Sequence, residues 1–146
     1  MNVGWIGTGK LGLPMAARLA ASGTGVRAYV RSPDRVQAIR ARAVVCVTFD
    51  EMAAQNIVFS SLPDDAALRQ VADELIPVLR RGAVLVETST VSPTVSAEIG
   101  QELAANGIAY LRAPVSGCVP MCVAPTGVRR YERAMSSARL SMRRRR

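Results

Sequence analysis

The sequence predicts an α/β fold built on a doubly wound parallel sheet. Short apolar runs alternate with segments of helical spacing along residues 1–111. A glycine cluster, GTGKLG at residues 7–12, follows the first apolar run directly, and an alanine-rich helical pattern follows the cluster. Strands that alternate with helices at this spacing pair in parallel, because each helix returns the chain to the same end of the sheet.

Six strands and the helices between them can be placed in order. Strands are predicted at residues 3–6, 26–30, 43–47, 56–61, 83–87 and 107–111. Helices are predicted at residues 13–21, 32–42, 64–79 and 93–106, with a short helical turn at 48–51. Ser32 as a cap and Pro33 in the first turn are typical of a helix start. Asp64 and Asp65 suit a helix N-terminus, and Gly82 ends the helix that follows them.

The glycine cluster has the G-x-G-x-x-G spacing of a dinucleotide-binding turn between a strand and a helix. In such a turn, Gly7 permits the sharp bend, Gly9 lets the backbone approach a pyrophosphate, and Gly12 lets the helix pack against the strand. The phosphates would lie on the free N–H groups at the helix N-terminus, where the helix dipole is positive. The sequence therefore predicts a dinucleotide cofactor at this turn.

The end of the second strand bears on which dinucleotide binds. In NAD-binding domains an acidic side chain about twenty residues after the glycines holds the ribose 2′-hydroxyl. This chain instead has Val30, Arg31 and Ser32. Arg31 offers a planar fork of donors to a phosphate, and Ser32 offers one more. We therefore expect NADP(H) to be preferred over NAD(H); the alternative is a solvated arginine at a strand end.

Composition limits the other classes of function. The chain has 146 residues, 49% of them hydrophobic, and no apolar run approaches the ~20 residues that span a bilayer. One cytoplasmic domain without a membrane segment or secretion signal is expected. The three cysteines do not suggest a disulfide framework, and Cys118 and Cys122 have no histidine or other cysteine nearby, so no metal site is predicted.

The net charge of +8 is concentrated at one end. Residues 127–146 carry eight arginines and one acid, which leaves eleven basic and ten acidic side chains in residues 1–126. A basic patch on the folded body is therefore not expected, and neither is nucleic acid as a partner of that body. Apolar residues of the tail repeat at helical spacing, so a short basic helix or a disordered tail is predicted at 127–146.

Four ordered blocks resemble one protein family. They are GTGKLGLPMA at residues 7–16, LPDD at 62–65, STVSP at 89–93 and APVSG at 113–117. Together they resemble the β-hydroxyacid dehydrogenases, the 3-hydroxyisobutyrate dehydrogenase-like proteins related to the cofactor domain of 6-phosphogluconate dehydrogenase. The resemblance covers about residues 1–120 and implies a Rossmann-like NADP-binding domain, which we predict at residues 1–126.

The resemblance implies roles for the residues around the glycine turn. Gly9, Lys10 and Leu11 would hold the pyrophosphate through their backbone amides. Arg31 would hold the 2′-phosphate. Both roles agree with the chemistry inferred from the residues themselves.

Further implied roles fall on the later loops. Leu62 and Pro63 would border the stretch between adenosine and nicotinamide, and Thr90 would lie beside the nicotinamide. Ser116 and Gly117 would donate hydrogen bonds to a substrate carboxylate. The structural alternatives are an ordinary strand-to-loop turn at residues 62–63 and capping of the next helix by residues 89–90.

The sequence departs from the family pattern in three places. Arg112 stands where the family commonly has an acid, and Cys118 replaces a glycine, where its side chain would crowd a bound carboxylate. The family's proton-transferring lysine lies in a C-terminal helical domain that this sequence does not contain. The chain has no histidine, and its only lysine is Lys10, so we assign no catalytic residue. A truncated or out-of-frame end of a longer gene is the origin we favour for the tail.

The implied function is that of the NADP(H)-binding domain of an oxidoreductase that transfers hydride between nicotinamide and a small β-hydroxyacid or semialdehyde. The isolated chain is expected to be inactive. One alternative is a non-catalytic module that binds NADPH or pairs with a full-length relative. Another alternative is that residues 143–146 bind nucleic acid or an acidic surface. The simpler interpretation of this charge run is a solvated tail.

Overall fold

A computed structural model describes residues 2–115 of the chain, in which strands and helices alternate. The strands are β1 (Asn2–Ile6), β2 (Gly25–Tyr29), β3 (Val45–Val47), β4 (Ile57–Ser60), β5 (Val84–Glu87) and β6 (Ala109–Arg112). The helices are α1 (Gly12–Ala21), α2 (Val36–Arg40), α3 (Asp65–Leu75) and α4 (Pro93–Ala105), with 3-10 turns at Pro33–Arg35 and Asp50–Ala54. The tail predicted at 127–146 lies outside the described residues.

The six strands form one parallel sheet in the order β3-β2-β1-β4-β5-β6, which confirms the predicted α/β doubly wound fold. At the carboxyl end of β1, Ile6 lies opposite Tyr29 on one side and Ser60 on the other. From the centre of the sheet, β1 to β3 extend it toward one edge, and β4 to β6 extend it toward the other edge. The loops after β1 and β4 therefore diverge, and a crevice opens between them at the carboxyl edge.

Two apolar layers hold helices on the sheet. On one face, Trp5 of β1 and Phe59 of β4 stack with ring centroids 5.1 Å apart and pack in one cluster with α1 and α2. On the other face, Leu68 of α3 and Ile99 of α4 belong to a second buried cluster. Arg69 joins these two helices through ion pairs to Glu98 and Glu102. Within residues 2–115, no helix has the length and apolar character that crossing a bilayer requires.

The helix predicted at 32–42 is wrong in its first turn. Residues Pro33–Arg35 form a 3-10 turn, and α2 begins only at Val36. Ser32 does occupy the N-cap position, but its side chain makes no capping hydrogen bond. The turn is closed instead by the backbone, where the Arg35 N–H donates to the Ser32 carbonyl at 3.1 Å. This three-residue spacing is typical of a 3-10 turn.

The helix predicted at 64–79 also ends early, because α3 stops at Leu75. Pro77 has no N–H with which to continue the helical ladder. The apolar stripe nevertheless continues past the helix end, since Leu79 is buried in the same layer. The apolar pattern therefore predicted the burial of Leu79 correctly, whereas Pro77 prevented the helix from continuing to that residue.

Gly7, at the turn between β1 and α1, permits a direct test of the fold. Gly7 has φ +88°, and a Cβ placed on it would overlap the Ser61 carbonyl oxygen. Gly23 has the similar φ of +86° but open space around the same position. Gly23→Ala should therefore cost only the left-handed backbone strain of about 1–2 kcal/mol. Gly7→Ala should cost about 1–3 kcal/mol more, because of overpacking.

The free energy of unfolding in urea measures this difference. The fluorescence of the buried Trp5 reports the transition. Equal destabilisation by the two substitutions would show that the contact between the turn and residue 61 does not constrain the fold.

Candidate cofactor-binding cleft

A cleft of about 490 Å³ opens at the carboxyl edge of the sheet, between the loops after β1, β2 and β4 and helix α3. Nine residues predicted to bind the cofactor line it together: Gly7, Gly9, Lys10, Leu11, Gly12, Arg31, Ser32, Leu62 and Pro63. Thr90 is exposed in the loop after β5 and is not among the residues that line this cleft. Ser116, Gly117, Cys118 and Cys122 lie outside the described residues.

The three glycines of the turn differ in their surroundings. A Cβ at Gly7 would overlap the Ser61 carbonyl oxygen, and one at Gly12 would overlap the Gly7 carbonyl oxygen. These two glycines therefore allow β1, α1 and the loop after β4 to approach one another. A Cβ at Gly9 would meet nothing within 4 Å. The backbone at Gly9 is thus open to a ligand in the cleft.

The N-terminus of α1 has no side-chain cap within the described structure, and its first turn contains no acidic residue. Its N-cap residue is Leu11, which has no side-chain acceptor to offer. The other two long helices are capped by oxygen atoms. Asp64 accepts from the Ala67 N–H at 2.8 Å, and Ser92 accepts from the Val95 N–H at 3.3 Å. The start of α1, at Leu11 and Gly12, therefore lines the cleft without a side-chain acceptor, which suits anion binding, although the Leu13 N–H donates to the Gly9 carbonyl at 3.2 Å.

Cationic side chains predominate at the cleft. Among residues 2–115, Lys10, Arg31 and Arg35 line it together with one acid, Glu74 of α3. Sequence reasoning missed Arg35. Its guanidinium donates to the Thr8 carbonyl at 2.7 Å and so ties the glycine turn to the segment after β2. Its position four residues after Arg31, in a segment predicted to be helical, was the available signal.

An apolar wall completes the cleft. Tyr29 and Phe49 meet edge to face with ring centroids 5.0 Å apart, and both line the cleft. Ala67 and Val71 of α3 extend this surface. Ligand sites commonly combine such an apolar wall with a few polar groups that fix orientation.

A buried polar cluster, Ser60, Glu87 and Ser89, lies where β4 and β5 end. The Glu87 carboxylate accepts from the Ser60 hydroxyl and, at 2.6 Å, from the Ser89 N–H. The Ser89 hydroxyl oxygen accepts from the Leu62 N–H at 2.6 Å. Sequence reasoning did not single out Glu87, which ends an otherwise apolar strand. Capping of α4 by residues 89–90 is also wrong, because Ser92 provides that cap.

Asp65 joins the starts of α3 and α4. Its carboxylate accepts from the Ser92 N–H at 2.8 Å, and this hydrogen bond lowers the pKa of Asp65 below its usual range. The loops that follow β4 and β5 are therefore tied both at their buried ends and at the helices they lead into.

This architecture defines a class of protein. A parallel sheet of this strand order, with a glycine turn and an uncapped helix N-terminus at its carboxyl edge, is a Rossmann-like nucleotide-binding domain. Comparison with known families agrees: residues 2–126 match the model of the NAD binding domain of 6-phosphogluconate dehydrogenase. The chain belongs to that family.

Two dehydrogenases that are similar to this chain agree with the family assignment. The 2-(hydroxymethyl)glutarate dehydrogenase of Eubacterium barkeri is 34% identical over 122 residues, which cover 80% of this chain and 40% of that enzyme. The mitochondrial 3-hydroxyisobutyrate dehydrogenase of Homo sapiens is 30% identical over 122 residues, which cover 80% of this chain and 36% of that enzyme.

A solved structure has the same fold. Mycobacterium tuberculosis 3-hydroxyisobutyrate dehydrogenase with L-serine superimposes with a TM-score of 0.79 at 27% identity, over 84% of this chain and 43% of that one. The chain thus spans about two fifths of the length of such relatives. The resemblance to 3-hydroxyisobutyrate dehydrogenase-like proteins expected from the four sequence blocks is confirmed.

The hydrogen bond to Asp65 predicts a dependence of stability on pH. Because the pKa of Asp65 is lowered in the folded state, its contribution is present above the unfolded value near 3.8 and is lost as the pH falls through the folded value. The unfolding midpoint of Asp65→Asn should therefore lie below that of the unmodified chain at neutral pH, and the gap should narrow as the pH falls below about 4.

Urea denaturation at a series of pH values measures the gap. Asp34→Asn, at an exposed acid of the first 3-10 turn, serves as the control. A gap that stays constant through this range would contradict the role of the Asp65 carboxylate.

Proposed function

We propose that this chain binds NADP(H) in the cleft, as the cofactor domain of a 3-hydroxyisobutyrate dehydrogenase-like oxidoreductase. One observation carries the proposal: the open backbone at Gly9 and the uncapped N-terminus of α1 line the same cleft as Lys10, Arg31 and Arg35. A helix start without a side-chain cap, together with three cationic side chains, suits a pyrophosphate and a further phosphate.

The preference for the phosphorylated cofactor rests on the end of β2. Arg31 and Ser32 follow that strand and line the cleft, where an NAD-binding domain would offer a carboxylate to the ribose. Arg35 adds a second guanidinium nearby, and its bond to Thr8 holds that guanidinium beside the glycine turn. Glu74, the acid that lines the cleft within the described part of the chain, belongs to α3 and not to the segment after β2.

The proposed reaction is hydride transfer between the nicotinamide and a small β-hydroxyacid or semialdehyde. When bound, the cofactor would supply or accept the hydride, and the residues of this chain would bind and orient it. Gly9, Lys10 and Leu11 would hold the pyrophosphate, Leu62 and Pro63 would border the path to the nicotinamide, and Ser116 and Gly117 would bind the substrate carboxylate.

A proton donor or acceptor is also needed at the substrate oxygen. The chain has no histidine, and its single lysine stands in the glycine turn, where the proposed partner is a phosphate. We therefore propose that the isolated chain binds the cofactor and turns over little substrate.

Arg31→Ala tests the cofactor preference. The substitution should weaken NADPH binding about tenfold or more, because it removes a charged hydrogen bond of about 1.5–3 kcal/mol, and should leave NADH binding nearly unchanged. Fluorescence titration of each cofactor measures both affinities. Arg40→Ala, at an exposed arginine of α2 outside the cleft lining, controls for the loss of one positive charge. Comparable affinities of the unmodified chain for NADPH and NADH would refute the preference.

A turnover assay tests the proposed lack of activity. NADPH oxidation by the 146-residue chain in the presence of small aldehydes and keto acids should stay near the rate without enzyme. A full-length 3-hydroxyisobutyrate dehydrogenase assayed under the same conditions is the positive control. Sustained oxidation by this chain would show that a group within it transfers the proton.

A further inference from the structure

We propose that Glu87 and Ser89 are positioning residues for the nicotinamide end of the cleft. They act through a chain of hydrogen bonds that begins at strand β5, which we call the Glu87–Ser89–Leu62 bracket. This bracket fixes the position of the backbone in the loop after β4. This inference rests on the proposed binding of NADP(H) and adds the residues that shape one end of the site.

The bracket begins at a carboxylate with very little access to water. Glu87 is 1% exposed, and Ser60 beside it is fully buried. Burying a carboxyl group is costly unless its oxygens find donors. Each Glu87 oxygen has one: the Ser60 hydroxyl at the end of β4 for Oε2, and the Ser89 N–H just beyond β5 for Oε1. The carboxylate therefore clamps the ends of two adjacent strands together.

The second step reaches the cleft. With its N–H held by Glu87, Ser89 presents its hydroxyl oxygen to the Leu62 N–H at 2.6 Å. Thr88 reinforces the same junction, because its N–H and its hydroxyl both donate to the Ser60 carbonyl, at 2.9 and 2.7 Å. The backbone N–H of Leu62 is thus held by the loop after β5.

The position of Leu62 gives the bracket its function. Leu62 and Pro63 line the cleft at the end of β4, whereas Arg31 and Ser32 line it at the end of β2, and β1 lies between these two strands. A dinucleotide whose 2′-phosphate lies at β2 and whose pyrophosphate lies on the glycine turn would extend its nicotinamide toward β4 and β5. Shifting Leu62 should therefore weaken binding of the nicotinamide half alone.

The contribution of the nicotinamide half to binding is measured by comparing two ligands. These are NADPH and 2′-phospho-ADP-ribose, which lacks the nicotinamide. Ser89→Ala in the full chain should weaken NADPH binding about fivefold, the effect of one hydrogen bond, and should change binding of 2′-phospho-ADP-ribose by less than about twofold. Isothermal calorimetry with each ligand measures the ratio of the two affinities.

Ser92→Ala is the matched control. It alters the same loop and removes the cap of α4, but Ser92 does not contact Leu62 in any described hydrogen bond, so the affinity ratio should stay at its unmodified value. A general loss of stability would affect both serine variants alike.

Glu87 variants test the first step of the bracket. Glu87→Gln retains an oxygen for the Ser89 N–H, and its amide can donate to the Ser60 hydroxyl, so it should bind both ligands nearly normally. Glu87→Ala should reproduce the selective loss seen with Ser89→Ala. If Glu87→Ala does not fold, Ser89→Ala alone decides the proposal.

The outcomes separate the two proposals. An unmodified chain that binds neither ligand refutes the proposed function and the bracket with it. An unmodified chain that binds both ligands, with a ratio unchanged in Ser89→Ala or equally changed in Ser92→Ala, refutes only the bracket.

Discussion

The close approach of two backbone segments at the centre of the sheet is the constraint on which the cleft depends. The Ser61 N–H donates to the Ile6 carbonyl at 2.9 Å, and the next residue, Gly7, lies against the Ser61 carbonyl with no room for a Cβ. Gly12 in turn lies against the carbonyl of Gly7. This stack fixes the start of α1 relative to β1 and β4. The start of that helix, at Leu11 and Gly12, consequently lines the crevice at the point where the strand order diverges.

The rest of the carboxyl edge is organised by polar contacts between loops. Arg35 joins the segment after β2 to the glycine turn, the bracket from Glu87 joins the loops after β4 and β5, and Asp65 joins the helices that follow them. Each contact links segments that are far apart in sequence but adjacent along the edge. A site assembled from loops on a rigid sheet can in this way keep a defined shape, although the loops themselves have little core of their own.

Much of this could be predicted from the sequence, for reasons that are local. The glycine turn was recognisable because its spacing, its preceding strand and its following helix are all encoded within about twenty residues. Arg35 and Glu87 were missed because their importance depends on partners 27 residues away in the chain, Thr8 and Ser60. For the same reason, the alternative that Ser89 helps to cap the helix at Pro93 was wrong, because its partner is Leu62 on another loop.

The sequence by itself determined the class of fold, the order of its elements and the turn at which a phosphate can approach, because apolar periodicity and glycine spacing act over short distances. Only the tertiary structure decided that Arg35 binds the glycine turn, that Ser89 holds the loop after β4, and that Asp65 joins the starts of α3 and α4. These features follow from hydrogen bonds between segments that meet only when the parallel sheet has assembled, so no local pattern could specify them.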